Sequence, residues 1–128
     1  MKKKLLVGNS FPLSLIRRRV EIRPCGLDEL QRLLAGNEIV SYWGHRNTLA
    51  SISRRLGADL TPDVERPVLL LSKEKLPMYG GAVFDECWVL SPDYLDGFRP
   101  AIGDEVPPEQ IVGWQCLHMV FPPADGVC

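Results

Sequence analysis

Several signatures that would fix a protein's class are missing from this chain. There is no C-x-x-C pair, and the four cysteines, Cys25, Cys87, Cys116 and Cys128, stand far apart. Neither of the two histidines, His45 and His118, lies at zinc-finger spacing from a cysteine. A structural zinc site and a disulfide framework are therefore not expected, and the thiols read as reduced ones in a cytoplasm. No segment approaches the roughly 18 uninterrupted apolar residues of a membrane span. The start, MKKKLLVGNSFPLSLIRRR, imitates a signal peptide, but Gly8, Asn9, Ser10 and Pro12 break its apolar run and Arg17, Arg18 and Arg19 stop it. No G-x-S-x-G elbow, P-loop or dinucleotide-binding glycine pattern occurs, and no nucleophile stands beside a matching base. The expectation is a cytoplasmic chain without membrane contact, cofactor or metal.

The 128 residues that are present suffice for one domain with its own core, expected over 1–122, with 123–128 as a frayed tail. A net charge of −1 conceals an asymmetry. Residues 1–66 hold 12 Lys and Arg against 7 Asp and Glu, whereas residues 67–128 hold 3 against 9. The basic half can bind an anion while the acidic half meets other proteins; alternatively, the two neutralise each other within the fold.

KLLVG reads as a buried strand closed by a glycine, with NSFP as the turn after it. Val20 and Ile22 alternate with charged neighbours in RVEIRP, a half-exposed strand ended by Pro24. In LDELQRLLAGN, Leu27, Leu30, Leu33 and Leu34 share one helical face, and Gly36 is placed to end it. EIVSYW is strand-like up to Gly44. A second helix is predicted from Asn47. Leu49, Ile52 and Leu56 form its buried stripe, Asn47 or Thr48 can cap its start, and Gly57 can end it. RPVLLLS is apolar enough for a central strand. PMYGG reads as a loop, ECWVLS as a strand, PPEQIV as a single helical turn and WQCLHMVF as the closing strand. His118, inside that last strand, reads as structural. Trp43, Trp88 and Trp114 read mainly as core, although Trp43 or Tyr42 could stack on a base. The order predicts an α/β or α+β domain with a mixed sheet of four to six strands and two or three short helices. A homodimer would cover its exposed edge.

Two junctions carry the chemistry, GNSF at residues 8–11 and WGHRNT at residues 43–48. Were their strands parallel in one sheet, both would lie at its C-terminal edge, where open α/β sheets bind ligands. A helix starting there directs unpaired N–H groups outward and suits a phosphate. Arg46, Asn47 and Thr48 could donate to it, as could Asn9 and Ser10 from the neighbouring turn. An imidazole beside that anion would stay protonated and could act as a general acid. The other reading of His45 is a loop histidine at a helix start and nothing more.

NSFPLSLI after the first strand, GHRNTLASISRRLG at the second junction and RPVLLL beyond it resemble a family of small proteins first seen in archaeal viruses and bacterial mobile elements. It includes the viral anti-CRISPR ring nucleases and relatives encoded beside type III CRISPR systems. Its members read N-A-F-S at the first turn and G-H-x-S-T-x-x-[IL] at the second, and the similarity covers about residues 4–71. The resemblance implies a metal-independent homodimer that degrades cyclic oligoadenylate, cyclic tetra-adenylate first among the ring sizes, and so switches off type III CRISPR signalling. It requires no duplex nucleic acid. His45 falls on the family's catalytic histidine, which protonates the leaving 5′ oxygen, and Arg99 on an arginine of its R-x-x-E-G segment, with Gly103 as the glycine. Asn9 falls on a turn residue that positions the backbone, Thr48 on the threonine that begins the helix and Arg66 on the basic residue opening the next strand, and Ser10, Ser14, Arg46 and Asn47 complete the expected substrate contacts.

The chain also departs from the pattern. Ile102 stands where the family has its catalytic glutamate, which leaves Asp104 or Glu105 to replace it unless they form a solvated turn. Pro12 and Arg46 occupy positions that are often polar and often acidic or amide. Three functions follow: a ring nuclease that uses the ribose 2′-OH as nucleophile, a cyclic-nucleotide or nucleic-acid binder without catalysis, and a protein-interaction domain working through its acidic half.

Overall fold

The first strand shows how the domain is layered. In the computed structural model, which describes residues 3–44, 46–95 and 108–123, β1 (Lys4–Gly8) is buried from Leu5 onward. Leu5 and Val7 face one core cluster and Leu6 faces another. An apolar run with a period of two fits such a strand, covered on both faces.

Around it the chain forms β2 (Glu21–Pro24), α1 (Leu27–Ala35), β3 (Glu38–Ser41) and α2 (Arg46–Leu56), then β4 (Leu70–Leu71), β5 (Pro77–Tyr79), β6 (Ala82–Val83), β7 (Glu86–Tyr94) and β8 (Ile111–Val120). Single 3₁₀ turns occupy Leu13–Leu15 and Pro108–Gln110. Five strands make a mixed sheet in the order β2-β8-β7-β1-β3, and β4, β5 and β6 make a small antiparallel one. β1 runs parallel to β3 and to β7, while β8 is antiparallel to β7 and β2. The result is a small single mixed α+β domain.

On one face of the large sheet, Leu30 and Leu34 of α1 and Ile52 and Leu56 of α2 pack over Val7, Trp88 and Leu90. On the other face Leu6, Cys87 and Met119 meet Tyr79, Phe84 and Phe121 beneath the small sheet. Both helices end where the sequence predicts. The Leu33 carbonyl accepts from the Gly36 N–H and from Asn37 Nδ2. At Gly57, whose φ is +65°, the Gly57 and Ala58 N–H groups return to the Arg54 and Ser53 carbonyls, a glycine-dependent stop.

Four expectations need correction. RPVLLLS is not a central strand: only Leu70 and Leu71 pair, in the small sheet, and Val68 and Leu70 are exposed. PMYGG is not a loop, because Pro77–Tyr79 pairs with both neighbours and Gly80 and Gly81, at positive φ, turn the hairpin. The ECWVLS strand runs on to Tyr94, and past Val89 it pairs with β8 alone, an edge setting that tolerates Pro92. Helix α2 begins at Arg46, so Asn47 and Thr48 sit inside its first turn and do not precede it.

Candidate functional site

Parallel pairing of Lys4–Val7 with Glu38–Ser41 puts the exits of β1 and β3 at one edge of the sheet. The two predicted junctions therefore meet there. They are joined directly: the Gly44 N–H donates to Asn9 Oδ1 at 2.8 Å. A second tie lies beneath. The Tyr42 hydroxyl donates to the Ser10 carbonyl at 2.7 Å, and the Tyr42 N–H continues the sheet onto Val7. Gly8 makes this possible, since a β-carbon there would lie 2.2 Å from the Tyr42 ring. The glycine that closes β1 is thus a seat for the tyrosine that follows β3. Burial pushes the Tyr42 phenol well above its ordinary range, so it acts as a neutral hydroxyl clamp.

These residues border a cleft of about 380 Å³, with Asn9, Ser10 and Gly44 on its polar side and Pro12, Pro67 and Val68 on its apolar side. A shallower groove of about 470 Å³ follows the outer face of α2 past Arg46, Asn47 and Ser53. Arg46 lies on that groove's wall and donates to the Glu65 carbonyl at 3.0 Å, holding the segment that leads to Pro67. The first turn of α2 thus borders the groove, and Gly44, just before the helix, borders the cleft.

The expected site residues divide accordingly. Asn9 and Ser10 line the cleft, and Arg46 and Asn47 the groove. Thr48 is buried, and its Oγ1 accepts from Trp43 Nε1 at 3.3 Å, so its hydroxyl anchors the helix start to the core. Ser14 is exposed on the 3₁₀ turn and does not line the cleft. Arg66 is exposed one residue before Pro67. His45 and Arg99, together with Ile102, Gly103, Asp104 and Glu105, lie outside the described residues. Trp43 is fully buried and unavailable to a base, whereas Tyr42 contributes to the cleft wall. Sequence reasoning missed the pairing of Gly8 with Tyr42 and the wall from Pro67 to Leu69; a glycine two residues before the serine whose carbonyl holds the tyrosine was the available signal.

His118 has a different setting. Its ring stacks on Trp88, with centroids 4.5 Å apart and planes 6° apart, and its Nε2 lies 2.7 Å from Glu86 Oε1. Lys3 Nζ pairs with the other Glu86 oxygen. Burial pushes the Glu86 carboxyl up, but Lys3 and His118 outweigh it and leave it below the ordinary carboxylate value. Among the described residues, no group of three or more His, Cys, Asp and Glu is arranged to hold a metal ion, and no helix is long and apolar enough to cross a membrane. The cysteines Cys25, Cys87 and Cys116 are free thiols, and burial pushes Cys87 up to about 12.

No family model matches the chain, and no curated protein sequence does. Among solved structures the chain is similar to B116 of Sulfolobus turreted icosahedral virus, with a TM-score of 0.53 and 15% identity. The similarity covers 92% of this chain and 99% of that one. At that identity the likeness is one of fold, shared with a small archaeal-virus protein.

Proposed function

We propose that the chain is a metal-independent ring nuclease acting on cyclic oligoadenylate as a homodimer. One observation carries the reading: the N-x-F turn and the G-H-x-x-T junction, 35 residues apart in sequence between Asn9 and Gly44, are joined by a hydrogen bond beside an open cleft at the C-terminal sheet edge. That edge is where parallel strands offer backbone donors and a helix N-terminus to an anion. The fold shared with an archaeal-virus protein agrees with the sequence resemblance without extending to its activity.

In the proposed reaction a ribose 2′-OH attacks the adjacent phosphorus in line with the P–O5′ bond. The hydroxyl proton passes to solvent, the P–O5′ bond breaks, and the His45 imidazolium gives its proton to the departing 5′ oxygen. The products are linear, with a 2′,3′-cyclic phosphate at one end and a 5′-hydroxyl at the other, and no water is consumed. Arg99 and Arg46 would offset charge on the phosphorane, and Asn9 and Gly44 would hold the turn against the ring's backbone. Positioning and charge stabilisation supply most of the acceleration, with about 10²–10⁴-fold from the general acid. A two-fold dimer would offer equivalent sites to a ring of repeating units.

The test is a panel of cyclic tri-, tetra- and hexa-adenylate, resolved by chromatography with and without EDTA. Cleavage that is insensitive to EDTA and ends in cyclic phosphate is the expected outcome. Tight binding of intact rings without turnover would select the non-catalytic binder that Ile102, at the glutamate position, favours.

A further inference from the structure

A separate cleft of about 360 Å³ opens at the other end of α2, between that helix, the start of α1 and the first residues of β8. None of its lining residues belongs to the candidate site. Ser51, Arg54 and Arg55 come from α2; Leu27, Val112 and Trp114 form the apolar side.

The cations are not consumed by the fold. Arg54 has no hydrogen bond or ion pair from its side chain to another described residue. Among the described residues Arg55 reaches only Asp28, at 3.4 Å, in a solvent-exposed pair. A cation near a helix C-terminus often serves the terminal carbonyls. Here the Gly57 and Ala58 N–H groups already satisfy those of Arg54 and Ser53. Across the cleft, Trp114 is half-buried, its ring centroid 6.1 Å from that of the buried Trp43 at an interplanar angle of 61°, while Val112 is 60% exposed. Arg54 and Arg55 therefore line one cleft with an aromatic residue and an open aliphatic one, in a space at the lower end of small-ligand size.

We infer that this cleft is a second binding site, for a nucleoside monophosphate whose base lies on Trp114 and whose phosphate is held by Arg54 and Arg55. A flat ring joined to a dianion matches both walls at once. Guanidinium binds phosphate through two parallel N–H donors, and an indole face stacks on any base. Ser51 lines the same cleft and brings a further hydroxyl donor to it. The site stands whether or not the chain cleaves cyclic oligoadenylate.

The test uses AMP as probe with the full chain, by calorimetry and by tryptophan emission, with adenosine and inorganic phosphate as separate ligands. Saturable binding of AMP with a change in emission is expected, with adenosine and phosphate each at least about tenfold weaker. The double substitution Arg54→Ala, Arg55→Ala should weaken AMP by about tenfold or more, and the lysine pair should recover part of the loss because charge remains without the fork. Trp114→Phe, which keeps an aromatic face, should bind AMP more closely to the parent than Trp114→Leu. AMP affinity unchanged in the double alanine variant would overturn the assignment, as would adenosine or phosphate binding as tightly as AMP. Cleavage of cyclic tetra-adenylate should be unaltered in the double alanine variant, so failure here and failure of the nuclease reading are separable.

Discussion

The two ends of the large sheet use polar side chains in opposite ways. At the end where β1 and β7 begin, Lys3, Glu86 and His118 turn toward one another, and Trp88 covers the imidazole face. The Lys3 ammonium, the Glu86 carboxylate and the His118 imidazole are each paired there, while the buried Trp88 Nε1 has no hydrogen-bond partner among the described residues. At the end where β1 and β3 finish, Asn9 and the Tyr42 hydroxyl fasten two turns and Arg46 holds the Glu65 carbonyl, while Ser10, Gly44, Arg46 and Asn47 lie along open surfaces. The first end is closed and serves stability; the second is fastened from below and open above, which is what a binding edge requires. The chain's two histidines belong in sequence to these two contrasting regions.

The comparison breaks most severely at Gly8. Gly8→Ala sets a β-carbon against the Tyr42 ring, and relief means moving the ring that clamps the Ser10 carbonyl. A loss of about 1–3 kcal/mol or more is expected, read as a lower melting temperature together with loss of ligand binding. Next comes the closed end. His118→Ala removes a stacked ring and one of the two partners of a partly buried carboxylate, and it should cost about 1–3 kcal/mol in denaturant unfolding while leaving binding at the open end intact.

The pH dependence of stability sharpens the same contrast. Because the folded Glu86 carboxyl titrates below its ordinary 4.5, its network contributes fully above that value and is lost as pH falls through the lower folded value. Glu86→Gln should therefore flatten the acid side of the stability curve. Asn9→Ala takes away the acceptor for the Gly44 N–H and should cost about 1 kcal/mol in stability, with a larger loss in ligand binding; Asn9→Asp retains an acceptor and should behave closer to the parent. Lys3→Ala, at a largely exposed position, should change stability by less than about 1 kcal/mol.

Much of this was legible in the residues, and the misses have physical causes. The leucine stripe of α1 and the glycine stop of α2 depend on local chemistry, so they could be read without knowing the fold. The meeting of Asn9 with Gly44 could be read only conditionally, because strand direction is a property of the sheet. RPVLLLS misled because an apolar run does not say which sheet receives it, and Leu70 faces outward in the small one. Pro77–Tyr79 looked like a loop because a three-residue strand has no periodicity of its own and exists through its neighbours. Thr48 looked like a ligand donor, and only the arrival of Trp43 Nε1 shows the hydroxyl's structural partner.

The paired alanine variants of the two histidines test the central contrast most directly. Cleavage of labelled cyclic tetra-adenylate is to be measured for His45→Ala and His118→Ala at a temperature where unfolding curves show both folded. The account predicts a fall of about 10²–10⁴-fold for His45→Ala and near-parental cleavage for His118→Ala, despite the latter's lower stability. Unchanged cleavage in His45→Ala, or its loss in a folded His118→Ala, would contradict it.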